Sequence, residues 1–437
     1  MATYSSKKYP SGSVTSAQLA DGTVVAVDLA DGAVTSAKLN STVDLSGKTV
    51  TYRSIVAGDI ASNAITTAKI NDAAVSHTKM ANAGAELGMR NRIINGAMVI
   101  DQRNGSGEIT SAGNVYTVDR FLIQGSQTGK FNVQQVTDAP AGFTNSLKVT
   151  VATPVTVGSS DYFILRQPIE GNNVADLGFG TANASAVTLS FWVKSSLTGL
   201  RSGHLTNSAS NRWYAYTYTI SASNTWEYKT ITIPGDTSGT WLKNNEMGIY
   251  VGWSLGTGST NAAAGSNTWS SSTGIGAPSE VNTVATSGAT FLMTGVQLEK
   301  GSNATPFEYR SYDTELRLCH RYAAILYGGT YGGFNISSTT FGLTIALPAP
   351  MRTQPSFTTN ISDSNFVVAG PNANQWAMYV QNSGYNSYSG SINTLSVNSG
   401  QVSNPNWVQI GTYGITLNSF TGFLLGSARY FSFIAEL

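Results

Sequence analysis

The chain carries one cysteine, Cys319, among 437 residues. No disulfide can close within it, so stability has to come from packing and association, as in a protein assembled in a reducing compartment. Charge is also scarce. Only 11% of residues are charged and the net charge is +1, which leaves no strong field to draw nucleic acid or an anionic membrane. No stretch approaches the run of about eighteen apolar residues that a membrane-spanning helix needs, and no membrane insertion is expected. Met1–Lys8 lacks the apolar stretch of a secretory signal. Phosphate-binding Gly-x-x-x-x-Gly-Lys-Ser/Thr loops are missing. Phe and Trp are absent from the first 88 residues, which hold three tyrosines, and aromatics become frequent from Met89 onward. That shift marks a domain boundary, with Ala81–Gly88 as a small-residue joint.

What fills the aromatic-free segment is a repeat. Val14, Val24, Val34, Ile55, Ile65 and Val75 are ten residues apart, with one 21-residue step around Ser41–Ser54. Each has an apolar partner five residues on: Leu19, Leu29, Leu39, Ile60, Ile70 and Met80. A fixed short period points to a repeat architecture. Ten residues make about 2.8 helical turns, so a continuous helix would rotate its apolar stripe away with each copy. In a continuous strand, a spacing of five puts the two partners on opposite faces. Asp21-Gly22 and Asp31-Gly32 are turn signals. Each unit therefore reads as a short extended piece, a Thr/Ser-initiated helical turn and a tight turn. Two sizeable apolar side chains cannot offset the ordering of ten residues, at about 1–2 kcal/mol each. Such units need neighbours, and a thin homotrimeric fibre is the simplest solution. The alternative is a disordered, low-complexity tail.

Residues 89–310 read as one all-β domain of short strands bounded by Gly, Asn, Ser or Pro. The expected strands are Arg92–Ile100, Asp119–Gln124, Phe131–Val136, Ser146–Val151, Phe163–Pro168, Ala186–Lys194, Trp213–Ile220, Glu227–Ile233, Glu246–Trp253 and Ala289–Glu299. Their number and spacing suggest a two-sheet jelly roll. Gly256–Ser287, rich in Gly, Ser, Thr and Asn, is long for a loop and is either a surface excursion or a functional loop. Leu316, Cys319, His320 and Ala323 fall on one helical face, which predicts a linker helix within 311–326 capped by Asp313 or Thr314. Residues 327–437 read as a second, smaller β-sandwich, with Gly328–Gly333 as a turn or bulge. The expected fold class is all-β: a repeat-containing fibrous shaft (1–88), then two jelly-roll-like sandwiches with one short helix between them.

Three blocks resemble bacteriophage tail-fibre proteins. One is the array of Val34-Thr35-Ser36-Ala37-Lys38-Leu39 units. Another is Asn91–Met98 with Tyr116–Phe121, and the third is Val296–Arg310 running into Glu315–Tyr322. The middle domain also resembles carbohydrate-binding jelly rolls that end in a Gln-Leu-Glu-x-Gly strand, here Val296–Gly301. The final 110 residues carry no such resemblance. The resemblance implies a virion protein, a homotrimer assembled in the host cytoplasm. Its N-terminus would join other tail or baseplate proteins, and its distal C-terminal domain would contact a host surface glycan. Jelly rolls of this type often carry a structural Ca²⁺, for which Asp119 and Glu299 are the candidates.

No catalytic residue and no enzymatic activity are expected. Asp161, Glu170 and Asp176 are the candidates for a glycosidase pair, but two carboxylates within twenty residues are background. His77, His204 and His320 show no ligand spacing with Cys319, so no zinc site is expected. Sugar recognition uses aromatic faces beside amide and hydroxyl groups. Trp376, Tyr379, Tyr385, Tyr388 and Trp407 supply both in the C-terminal domain, although Trp376 and Trp407 equally fit a sandwich core. Tyr214, Tyr216 and Tyr218 share one strand face, with Trp213 on the other. Core, intersubunit contact and ligand platform are all open for them. Two rival readings stand beside the adhesive fibre: a tailspike depolymerase, and a structural baseplate, collar or head-decoration protein without a receptor.

Overall fold

The computed structural model describes residues 89–437, apart from 112, 338–339, 345–346, 354, 360–376, 381–383, 387–391, 398–406 and 413–419. Side chains are described for 89–327, 347–356 and 430–437 within that set. The repeat array and its expected shaft lie outside the described residues.

Thirteen strands build a sandwich of two antiparallel sheets. They begin with β1 (Ile109–Thr110), β2 (Val115–Tyr116), β3 (Leu122–Gly125), β4 (Phe131–Val136) and β5 (Ser146–Val151). Next come β6 (Tyr162–Glu170), β7 (Val187–Ser195), β8 (Gly199–Asn207), β9 (Trp213–Ile220) and β10 (Glu227–Ile233). The last are β11 (Met247–Thr257), β12 (Trp269–Ser270) and β13 (Thr290–Lys300). One sheet has the order β1-β4-β5-β13-β7-β10, the other β12-β9-β8-β11-β6-β3-β2. Alternation drives the pairing. Phe131 and Val133 of β4, and Val187, Leu189, Phe191 and Val193 of β7, face one shared core. Trp253 sits at its centre, 5.7 Å from Phe191 and 6.4 Å from Phe121 between ring centroids. Tyr214, Tyr216 and Tyr218 join this core, while Trp213 packs on the opposite face with Ile164 and Ile275. Burial in the core settles the role of the three tyrosines.

Strand β8 has no counterpart among the expected strands. Its sequence, Gly-Leu-Arg-Ser-Gly-His-Leu-Thr-Asn, is too polar to signal a central strand. It lies inside because its polar groups are satisfied there. Arg201, 1% exposed, donates to Val281 O (2.6 Å), Thr283 Oγ1 (2.7 Å), Leu197 O (3.0 Å) and Ser195 Oγ (3.2 Å).

Segment 92–100 is irregular, where a strand is expected over Arg92–Ile100. Its apolar residues serve two cores. Ile93 and Met98 enter the sandwich, whereas Ile94 and Ile100 pack with Cys319 and Tyr322. Side chains take the backbone groups that a neighbouring strand would pair. The Asn91 amide donates to Val296 O and its oxygen accepts from Ile93 N, both at 2.9 Å. Gln167 both accepts from Ile94 N and donates to Ile94 O at 2.8 Å. Asn95, at φ 60°, ties Ile100 O (2.8 Å) and Asp119 O (3.0 Å). Glycine is required next, because a Cβ at Gly96 would overlap the Val296 carbonyl oxygen.

Helix α1 (Tyr312–His320) is shorter than the expected 311–326. Its N-cap is Ser311, not Asp313 or Thr314: Ser311 has extended backbone and its hydroxyl accepts from Thr314 N. Asp313 and Glu315 lie in the first turn, where the helix dipole favours them. Ala323 leaves the helical face and opens β14 (Ala323–Ser337). After it come β15 (Thr340–Thr344), β16 (Ser356–Thr359), β17 (Ala377–Val380), β18 (Gly384–Asn386), β19 (Ile392–Val397), β20 (Trp407–Thr412) and β21 (Phe420–Ile434). Their order is β18-β17-β21-β14-β15-β20-β19, with β16 also on β21. The Gly328 region is a bulge within β14, where the register to β21 shifts between Tyr327 and Gly329.

The end of β21 returns the chain to the sandwich through buried charge. Glu436 pairs with Arg103 (2.6 Å) and with Arg120, which is 1% exposed. The Arg120 guanidinium lies 3.5 Å above the Tyr322 ring and donates to Pro168 O (2.6 Å). The Tyr322 hydroxyl donates to Glu170 (2.9 Å), which also holds Arg321 through two bonds of 2.8 and 2.6 Å. Breaking a buried pair strands the remaining charge. Glu436→Ala lowers the unfolding free energy in urea denaturation by about 3–5 kcal/mol. Replacing both partners with apolar residues, Arg120→Met with Glu436→Leu, recovers most of that loss.

Candidate functional site

The outer face of the seven-stranded sheet is organised in cross-strand rows. Ala215, His204, Gly252, Arg166, Leu122 and Tyr116 stand in register across β9, β8, β11, β6, β3 and β2. Trp213, Thr206, Tyr250 and Pro168 form the adjacent row. Both ends of this face are covered. At one end His204 is fully buried, its Nδ1 2.9 Å from Ile275 O and its ring 5.3 Å from Trp213. A Cβ at Gly252 would strike that ring, so only glycine lets His204 lie over the sheet. Burial pushes the His204 pKa down to about 3, and the imidazole is neutral. At the other end the Tyr116 hydroxyl donates to Leu437 O (3.1 Å) and Arg103 lies 5.1 Å from the Tyr116 ring.

From the Tyr116 end inward runs a half-buried strip of Tyr116, Arg166 and Tyr250, with half-buried Tyr162 further along β6. The Arg166 guanidinium is stacked 3.9 Å above the Tyr250 ring centroid. Such a stack presents a flat apolar surface edged by N–H and O–H groups, the combination that polyhydroxylated rings need. The residues are legible individually. Tyr250 alternates with Ile249 and Val251, which enter the core, and Arg166 interrupts the apolar run Phe163–Leu165. Their meeting depends on the β6–β11 register, which no sequence pattern supplies.

The long excursion frames a hollow of about 800 Å³ between residues 257–264 and 272–282. Thr257, Ser259, Thr260, Ser272 and Glu280 are among its lining residues. Burial pushes the Glu280 pKa up, while Ser202 and Ser254 (2.6 Å) donate to its carboxylate. No aromatic residue lines this hollow, so it offers no stacking surface.

Each carboxylate singled out in the sequence is engaged by the protein. Asp161 accepts from Ser126 Oγ (2.7 Å), Gly158 N (2.9 Å) and Gln127 Nε2 (3.1 Å), and the Ser126 bond leads in holding its pKa low. Glu170 is a buried charge whose desolvation is outweighed by hydrogen bonds from Arg321, Asn172 and Tyr322, which hold its pKa low. Asp176 pairs with Arg92 (2.9 Å) and Lys300 (3.7 Å). The three share no hydrogen-bond or ion-pair partner.

The two calcium candidates are likewise separate. Asp119 accepts from Gln102 and lies 3.6 Å from Arg103, whereas Glu299 accepts from Thr305 N (2.8 Å), Thr305 Oγ1 (2.7 Å) and Gln297 Nε2 (3.0 Å). Among the described residues no group of three His, Cys, Asp or Glu gathers around a common point. Cys319 is buried, which pushes its thiol pKa well up, and half-buried His320 is pushed down.

Of the C-terminal aromatic candidates, Trp376 and Tyr388 lie outside the described residues, as does His77. Tyr379 and Tyr385 are direct register partners across β17 and β18, and Trp407 opens β20 opposite Thr344.

No family model and no curated protein matches the chain. Among solved structures, it is similar to the enzymatically active domain of tailspike protein 4 of bacteriophage CBA120. The identity is 14% over 48% of this chain and 21% of that one, with a TM-score of 0.28. It is similar to TmCBM61 in complex with β-1,4-galactotriose, at 10% identity over 48% of this chain and 99% of that one, TM-score 0.25. It is also similar to the family 11 carbohydrate-binding module of Lic26A-Cel5E of Clostridium thermocellum, at 12% identity, 46% and 98% coverage and TM-score 0.23. The chain thus spans about a fifth of the tailspike domain. At such identities the likeness concerns the fold alone, and TM-scores of this size add nothing to the strand pairing above.

Burial of Asp119 raises its pKa from 3.8 to about 6, with Arg103 and Gln102 opposing. A carboxyl that folding makes more basic binds its proton more tightly in the folded chain. Its contribution favours the fold below about pH 4 and is lost as pH rises to about 6. The gap corresponds to about 3 kcal/mol, at about 1.4 kcal/mol per pH unit. Across that window the stability difference between wild type and Asp119→Asn, measured by urea denaturation at stepped pH, shifts by up to this amount in favour of the variant. A constant difference indicates an ordinary carboxyl.

Proposed function

We propose that this chain is a non-catalytic, glycan-binding adhesion subunit of a bacteriophage tail fibre. The observation that carries the reading is the Tyr250–Arg166 stack on an open strip of sheet, flanked by Tyr116 and Tyr162. Low overall charge supports a sugar partner over nucleic acid or lipid. The engagement of Asp161, Glu170 and Asp176 in structural bonds supports binding without cleavage. In this reading residues 1–88 form the shaft and join tail or baseplate proteins, and 327–437 is the distal part, where Tyr379, Tyr385 and Trp407 add a second glycan contact.

The working form is a homotrimer. Its support is a series of partly exposed rings on the outside of the six-stranded sheet. Tyr228, 44% exposed, is 5.4 Å from Trp192; Phe143 is 5.1 Å from Phe307 and 5.5 Å from Tyr309. Three shallow sites on one fibre raise effective affinity by about 10²–10⁴ over a single site.

A glycan panel read by titration calorimetry tests the reading. The full chain binds at least one polysaccharide, and Tyr250→Ala weakens that binding about tenfold with its melting temperature little changed, because the ring supplies stacking worth about 1 kcal/mol or more. Binding to no glycan sinks the adhesive role. Accumulation of new reducing ends during incubation replaces it with the depolymerase. Light scattering of the full chain gives a trimer mass, and a monomer removes the fibre.

A further inference from the structure

Arg166 differs from Arg120, Arg201, Arg212 and Arg310 in having nothing to pair with. Arg120 has Glu436, Arg212 has Asp236 through bonds of 2.6 and 2.7 Å, and Arg310 has Glu308 and Glu315. Arg201 has two carbonyls and two hydroxyls. Among the described residues Arg166 has no carboxylate within ion-pair distance and no hydrogen-bond acceptor, and its Nε is buried without a partner. The groups that face it are Tyr250 beneath, with Tyr116 and Tyr162 beside it and His204 across Gly252. None carries a negative charge, and His204 is neutral. The Tyr250 ring offsets only part of what it costs to desolvate a guanidinium. The planar fork keeps its N–H groups free, and that fork is shaped for two oxygens of one anion.

We infer that the ligand of this face is an acidic glycan, and that Arg166 pairs with an oxyanion borne on its sugar ring. The inference rests on the glycan-binding reading above and narrows its ligand. A uronic acid carboxylate and a sulfate ester present the same chemistry to the fork. The ring packs against the Arg166–Tyr250 stack while its anion reaches the free N–H groups of Arg166. Overall charge near neutral then matters little, because the recognition is one local pair in a partly dry site.

Matched pairs of polysaccharide separate the outcomes. The full chain is titrated with polygalacturonate and its carboxyl-reduced form, and with dextran sulfate and dextran. The expected result is at least tenfold tighter binding to the acidic member of one pair, and the pair that responds identifies carboxylate or sulfate. Arg166→Gln abolishes that preference. Arg166→Lys, which keeps the charge and stem and so protects folding, retains part of it because the planar fork is gone. Equal binding of acidic and neutral members overturns the inference and leaves the glycan reading intact. An acidic preference that survives in Arg166→Gln also overturns it. Binding to none of the four, nor to any member of the wider panel, overturns the glycan reading itself.

Discussion

Arg120 is a permanent cation with almost no access to water, and the described part of the chain closes around the need to neutralise it. Its counter-charge, Glu436, comes from 316 residues further on. The pair forms only when the last strand has returned to the first sandwich. Arg103 and Tyr116 add to the same end, and Tyr322 lies under the guanidinium. A single buried charge thus links the end of the last strand to the sandwich.

The two blocks that fall among the described residues are parts of this closure. Asn91 and Asn95 stitch the irregular opening segment onto β13 and the Asp119 turn. Glu308 accepts from Arg90 N and Asn91 N, and Arg310 holds Glu315. Most of their polar residues are committed to one another. Distinctive motifs here mark a seam and not a chemistry. The surface proposed to bind lies instead on ordinary-looking strands, where an arginine stacked on a tyrosine is left without a charge partner by the fold.

In the proposed reading, that division lets a weakly charged protein discriminate. A sandwich whose buried cations are nearly all satisfied has few free polar contacts to offer. The exception at Arg166 therefore carries more specificity than its number suggests. The hydroxyl-lined hollow beside Glu280 is larger, yet its carboxylate is already used by Ser202 and Ser254.

Period and alternation were enough to place the all-β class, the strands Phe131–Val136, Ser146–Val151, Trp213–Ile220 and Glu227–Ile233, and the two faces of the Trp213 strand. These depend on local side-chain geometry, which a sequence carries directly. Other features did not survive that logic. Segment 92–100 is apolar because it feeds two cores, and β8 hides because its buried Arg201 is satisfied by Val281 O and Thr283 Oγ1, remote in the chain. Asp161, Glu170, Asp176, Asp119 and Glu299 were visible as carboxylates, but their partners were not. The Arg166–Tyr250 stack joins residues 84 positions apart through a strand register. Which side chains meet, and which charge is left without a partner, is a property of long-range pairing, and only the tertiary structure decides it.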